Sequence, residues 1–198
     1  MFDWIKNINK EYPEFWKNYL VKFESRPKRF VVLCTETSGH HPEKDVIFSF
    51  GALGVIDNTI LVGDNFEAVL LQYKYLHENE LSNEFLIESK LPKMAEPQAI
   101  ENLIDYIGNA VLVGHRIHHD VDLINAALDR LDCGRLKNEA LDIEIMHRKL
   151  NDIPDKPFSL EELSKHYKLP ETERIAGIDD AYTMALLFLK LKARLGIK

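Results

Sequence analysis

The sequence predicts an α/β fold, a mixed β-sheet flanked by helices, with an N-terminal helical extension. Three observations carry this. Apolar runs rich in aromatic and β-branched residues come first, over residues 30–33, 46–56 and 59–66. From Pro97 onward a strand-like run alternates with helical periodicity, and the last stretches are helical alone. At 198 residues the chain is long enough for one full core, so we read an extension over 1–28 and one domain over 29–198.

Residues 1–24 carry Trp4, Ile5, Ile8, Tyr12, Phe15, Trp16, Tyr19, Leu20 and Phe23, mostly three or four apart. That spacing predicts one or two amphipathic helices, interrupted near Pro13. They are expected to pack on the main domain; a partner-binding arm is the functional alternative. Residues 25–28 link to the first strand, Phe30-Val31-Val32-Leu33-Cys34-Thr35-Glu36-Thr37, which ends in Ser38-Gly39. Its apolar start reads as buried on both faces. A polar turn over 40–45 leads to a strand over 46–56, and Asp57-Asn58 turns the chain into a third over 59–66. Residues 67–95 have weak periodicity and support no detailed reading.

Ile100, Leu103, Ile104 and Ile107 repeat at helical spacing, with Pro97 suited to the first turn and Gly108 to the end. Ala110-Val111-Leu112-Val113-Gly114-His115 is a further buried-strand pattern, and the helix after it begins near Asp120. A short strand at 140–143 precedes a helix holding Met146 and Leu150. Ser159-Leu160-Glu161-Glu162 has capping-box form, and a last helix runs from about Asp179 to Arg194.

Bulk properties narrow the function. The net charge of −7 argues against a strong nonspecific nucleic-acid binder, because phosphate affinity comes mainly from Lys and Arg. It leaves room for a nuclease that holds its substrate in a local groove. Cys34 and Cys133 stand far apart and suggest reduced thiols, without a disulfide framework. With no apolar run of membrane length and no signal-peptide layout, the expected location is cytoplasmic, off the membrane.

Three carboxylates stand out. Three, four, seven, eight and eleven residues after Asp120 come Leu123, Ile124, Ala127, Leu128 and Leu131, so Asp120 heads a core-facing stripe. Asp180 heads another, with Met184, Leu187, Phe188 and Leu191. Glu36 lies at the end of the buried first strand. One acid of this kind would simply complement a helix dipole. Three aimed at one core edge repel and raise one another's pKa unless a cation lies between them, which points to Mg²⁺ or Mn²⁺. The loop histidines His40, His41, His118 and His119 have no fixed ligand spacing and read as solvated, and His166 reads as a surface residue.

Thr35-Glu36-Thr37-Ser38-Gly39 after a hydrophobic strand resembles the first motif of the Asp-Glu-Asp-Asp (DEDD) 3′→5′ exonucleases, which include the proofreading epsilon subunit of bacterial DNA polymerase III and ribonuclease T. Leu112-Val113-Gly114-His115 followed by Asp120 resembles the second motif. Arg174 through Asp180-Ala181 resembles the third motif of the histidine subclass. The likeness runs from about residue 30 to residue 195. It implies a ribonuclease H-like fold and a two-metal site, with Mg²⁺ or Mn²⁺ on Glu36, Asp120 and Asp180, cleaving single-stranded 3′ ends. It places Thr37, Ser38 and His115 near the terminal nucleotide. Two of five catalytic positions depart from the pattern: the first aspartate falls on Cys34 and the water-activating histidine on Ile175. Arg116 and His119 stand where relatives carry Asn and an apolar residue. A thiol is a poor bridge between hard cations and Ile175 moves no proton, so activity is expected to be weakened. The alternative is a catalytically inactive module that binds nucleic acid, or a protein through the N-terminal helices.

Overall fold

The structure is a computed structural model that describes residues 11–72, 90–154, 156–170 and 176–197. Helix α1 is Glu14–Val21, followed by a 3₁₀ turn at Lys22–Glu24. The strands are β1 Phe30–Thr37, β2 Ile47–Ile56, β3 Thr59–Leu70, β4 Lys93–Met94, β5 Val111–Gly114 and β6 Ala140–Asp142. The other helices are α2 Glu96–Ile107, α3 Ile117–Arg130, α4 Ile143–Asn151, α5 Leu160–His166 and α6 Gly177–Leu195. The expected helix over the first ten residues lies outside the described residues.

The sheet has six strands in the order β4-β3-β2-β1-β5-β6. β1, β2 and β3 form an antiparallel meander, and β5 and β6 run parallel to β1. The expected mixed sheet with flanking helices is therefore present. Its central strand, β1, is covered on both faces, which explains its continuous apolar start. Val31 and Leu33 pack with α2 and α3 residues such as Leu103 and Ile124, while Val32 and the half-buried Cys34 pack with α6 residues such as Met184 and Phe188.

Local chemistry sets the element ends. Asp57 takes the left-handed conformation (φ 53°) between β2 and β3. Gly108 at φ 48° closes α2, where a side chain would be strained. The Ser159 and Glu162 side chains complete the capping box that opens α5. β3 runs to Leu70, beyond the expected Phe66; its outer half is largely exposed while Ala68, Val69 and Leu70 are fully buried. Helix α6 starts at Gly177, two residues before the expected Asp179, whose Oδ2 accepts from the Ala176 amide.

Helix α1 shares the main core. Trp16 and Tyr19 are buried in the same cluster as Ile100, Leu103 and Ile104. The Tyr19 hydroxyl donates to Asn138 Oδ1 (2.7 Å) and accepts from the Lys137 amide (2.8 Å). Burial pushes its pKa up to about 12 against these bonds. Asn138 in turn donates to the Gly108 and Ala110 carbonyls, tying α1 to the chain just before β5.

Candidate functional site

The end of β1 opens into a cavity of about 290 Å³ between α3 and α6. Cys34, Thr35, Thr37, His40, His115, Arg116, His119, Asp120 and Asp180 line it, with Leu33, Leu123, Leu160 and Met184 as its apolar wall. Asp120 and Asp180 thus meet in one cavity, as the stripes they head predict. Leu123, Ile124, Ala127 and Leu128 behind Asp120 are buried, as are Met184, Leu187, Phe188 and Leu191 behind Asp180.

Glycine packing fixes where Asp180 enters. Gly51 is the β2 partner of Cys34. A Cβ on Gly51 would stand 2.3 Å from the Gly177 carbonyl carbon and 2.4 Å from the Ile178 amide nitrogen. Both are backbone atoms that cannot swing aside. The first turn of α6 therefore lies directly on β2, beside Cys34. Gly51→Ala is expected to push α6 outward and lower stability by about 1–3 kcal/mol, read by urea unfolding. An unchanged midpoint would contradict this packing.

Asp120 accepts a short hydrogen bond from Thr35 Oγ1. Its pKa is pushed up to about 7. Burial is the main cause, opposed by the hydrogen bonds from Thr35 and from its own amide; the carboxylate that adds to the rise is Asp142. For Asp120, desolvation outweighs repulsion from a neighbouring acid. The sign follows. A carboxyl raised on folding favours the native state below about pH 4, and this stability is lost as pH climbs through about 7. A carboxyl raised from its ordinary value to about 7 corresponds to at most about 4 kcal/mol. Asp120→Asn keeps an acceptor for Thr35 and removes the charge. It is expected to be more stable than the unmodified protein at pH 8 by about 2–4 kcal/mol, with the gain shrinking toward pH 5 in urea unfolding. A pH-independent difference would contradict this account.

Glu36 follows Cys34 by two residues on β1, on the same face of the strand. Its Oε2 accepts from Ser49 Oγ (2.7 Å) on β2, and a bulge follows it in the β1–β2 ladder. Among the described residues, no three His, Cys, Asp or Glu side chains stand together as a metal-holding group. Cys34 puts a soft thiol where the resemblance places a carboxylate. A thiol is a poorer donor to hard divalent ions than a carboxylate. Ile175 lies outside the described residues, as does the start of the third motif at Arg174.

The remaining expected residues divide between cavity and loop. Thr37 lines the cavity and donates to the Gly39 carbonyl (2.9 Å). Ser38 faces the loop instead, donating to Asp45 Oδ1 (2.9 Å) and accepting from the Val46 amide. The His41 amide and Ser38 hydroxyl hold Asp45 below the usual carboxylate range. His115 Nε2 is 2.7 Å from the Phe158 carbonyl. His40, His41 and His118 are exposed, as expected, and so is His166. His119 is half-buried between His40 and His118, with ring centroids 4.8 and 4.0 Å away. Burial, then the charges of these neighbours, lowers its pKa.

Sequence reasoning did not find the partner of Arg116 and did not single out His147. Arg116, at the start of α3, donates from Nε to Glu144 Oε2 on α4 (2.8 Å), and Glu144 Oε1 accepts from the Phe158 amide (3.3 Å). Burial alone would raise the Glu144 pKa; the Arg116 and Phe158 bonds and the neighbouring charges hold it below the usual range. His147 is buried, its Nδ1 2.8 Å from the Tyr167 hydroxyl, with Phe158 packed edge-on against its ring. Both partnerships span more than ten residues and leave no local signal. No described helix is long and apolar enough to cross a membrane.

No protein-family model matches the chain. The PolC-type DNA polymerase III of Clostridium perfringens (strain 13 / Type A) is 30% identical over 190 residues, covering 88% of this chain and 12% of that protein. The PolC-type DNA polymerase III of Staphylococcus haemolyticus is 26% identical over 163 residues, 82% of this chain and 11% of its own length. Among solved structures, an exonuclease I whose structure suggests how processivity is achieved superposes with a TM-score of 0.67 at 15% identity, over 85% of this chain and 42% of that one. E. coli exonuclease I in complex with a dT13 oligonucleotide gives 0.63 at 14% identity, over 85% and 42%. The fold is thus of the exonuclease I type. The chain spans about a tenth of the curated relatives it matches and under half of these solved chains.

Proposed function

We propose that this chain, a relative of the Asp-Glu-Asp-Asp 3′→5′ exonuclease superfamily by sequence and by fold, engages single-stranded nucleic-acid 3′ ends and hydrolyses them weakly. The observation that carries the reading is the composition of the cavity: Asp120 and Asp180 meet there with Cys34, while Glu36 is held by Ser49. The oligonucleotide-bound exonuclease I structures support the choice of ligand. With Cys34 beside them, Asp120 and Asp180 offer Mg²⁺ or Mn²⁺ a poorer donor set than a third carboxylate would, which is why the hydrolysis is weak. A cytoplasmic location accompanies the reading.

The inactive-module reading is favoured by the same substitution at Cys34. It differs in one readout, turnover. A partner docking on the N-terminal helices would find Trp16 and Tyr19 turned inward and would meet outer residues such as the exposed Val21.

Purified protein is incubated with 3′-labelled single-stranded DNA and RNA, with Mg²⁺ or Mn²⁺. Binding with slow mononucleotide release, abolished by Asp120→Ala, is expected. Binding without release establishes the inactive module. Failure to bind either strand, or release that ignores Asp120→Ala, sinks the proposal.

A further inference from the structure

Arg116 gives the cavity a fixed positive charge. It caps α3 in the left-handed conformation (φ 56°, ψ 41°). Its Nε is tied to Glu144, whose side chain is 7% exposed, while its own side chain is 43% exposed. Neither Nη donates to any described residue. The guanidinium is thus anchored at Nε by a buried carboxylate, and Arg116 lines the same cavity as Cys34, His115, Asp120 and Asp180.

That arrangement suits a phosphate better than a solvated surface pair. A guanidinium stays charged at every working pH, and its paired N–H groups match two oxygens of a phosphate. An anchored fork also loses less rotamer freedom when a ligand arrives. A thiol at position 34 leaves two carboxylates in the lining, Asp120 and Asp180, beside Arg116.

We propose that Arg116 binds the phosphate of a nucleotide directly in this cavity, with no divalent metal. The ligand class is a nucleotide phosphate ester, bound both as the free nucleoside 5′-monophosphate and as the phosphate of the last nucleotide of a strand. The inference rests on the reading that the cavity takes 3′ ends, and it assigns the charge that holds them.

Equilibrium dialysis of the unmodified protein against a labelled nucleoside 5′-monophosphate in EDTA tests it. Saturable binding is expected, competed by inorganic phosphate. Arg116→Gln is expected to weaken it about 10- to 100-fold, the scale of a charge-assisted hydrogen bond. Arg116→Lys, which keeps the charge and loses the fork, should fall between. Arg116→Gln strands the Glu144 carboxylate, so the double variant Arg116→Gln with Glu144→Gln removes both partners and must show the same loss while folded by circular dichroism. Cys34→Asp, adding a negative charge, should weaken binding in EDTA as well. No saturable binding in EDTA, no competition by phosphate, or affinity unchanged in both Arg116 variants overturns the proposal. A labelled oligonucleotide that binds while the mononucleotide does not overturns the Arg116 assignment and leaves the 3′-end reading standing. A mononucleotide held through Arg116 with no oligonucleotide binding sinks that reading and the strand-bound half of this ligand class.

Discussion

Replacing Cys34 by aspartate and Ile175 by histidine in one chain is expected to raise Mn²⁺-dependent release of mononucleotides from a labelled 3′ end by about 10²–10⁴-fold, the usual contribution of a positioned base. The two changes act on different deficits. The first supplies a hard oxygen donor on β1, two residues before Glu36 and inside the cavity that holds Asp120 and Asp180. The second supplies a proton acceptor ahead of α6, where the family resemblance places it. Coupled sites are strongly non-additive, so each single change should recover much less than the pair. Initial rates for the four proteins, unmodified, two singles and double, read this directly. A double variant no faster than the unmodified chain would show that these positions do not limit turnover.

Trp16→Ala is expected to cost about 3–5 kcal/mol of stability, measured by urea unfolding. Trp16 is 1% exposed, its ring lies 4.6 Å from that of Tyr19, and Gly134 packs against its indole. The loss would come from a cavity at the foot of α1, and it would loosen the Tyr19–Asn138 link to the start of β5. A cost below about 1 kcal/mol, the range of an exposed substitution, would mean that α1 is dispensable to the core.

The sequence revealed the elements whose signals are local. The alternation and turn residues placed β1, β2 and the start of β3, Gly108 marked the end of α2, and Ser159 with Glu162 marked the start of α5. The stripes behind Asp120 and Asp180 brought both acids to one cavity, because helical periodicity alone orients them. What stayed hidden depends on pairing across the fold. β4 is two residues long and has no pattern of its own. The start of α6 is set by Gly51 on another strand. The hydrogen bond from Ser49 to Glu36 depends on the β1–β2 register, which no local pattern gives. Arg116 looked like a departure from a motif. Its use follows from Glu144, 28 residues away, which an apolar helix pattern gives no reason to single out.

We propose that, with Cys34 in place, the acid set at the end of β1 does not hold hard divalent ions. Crystals soaked in Mn²⁺ and measured for anomalous scattering test it most directly. No ordered manganese is expected between Glu36, Asp120 and Asp180 in the unmodified protein, and an ordered ion is expected once Cys34 is aspartate. Manganese bound by those three residues with Cys34 in place would contradict it.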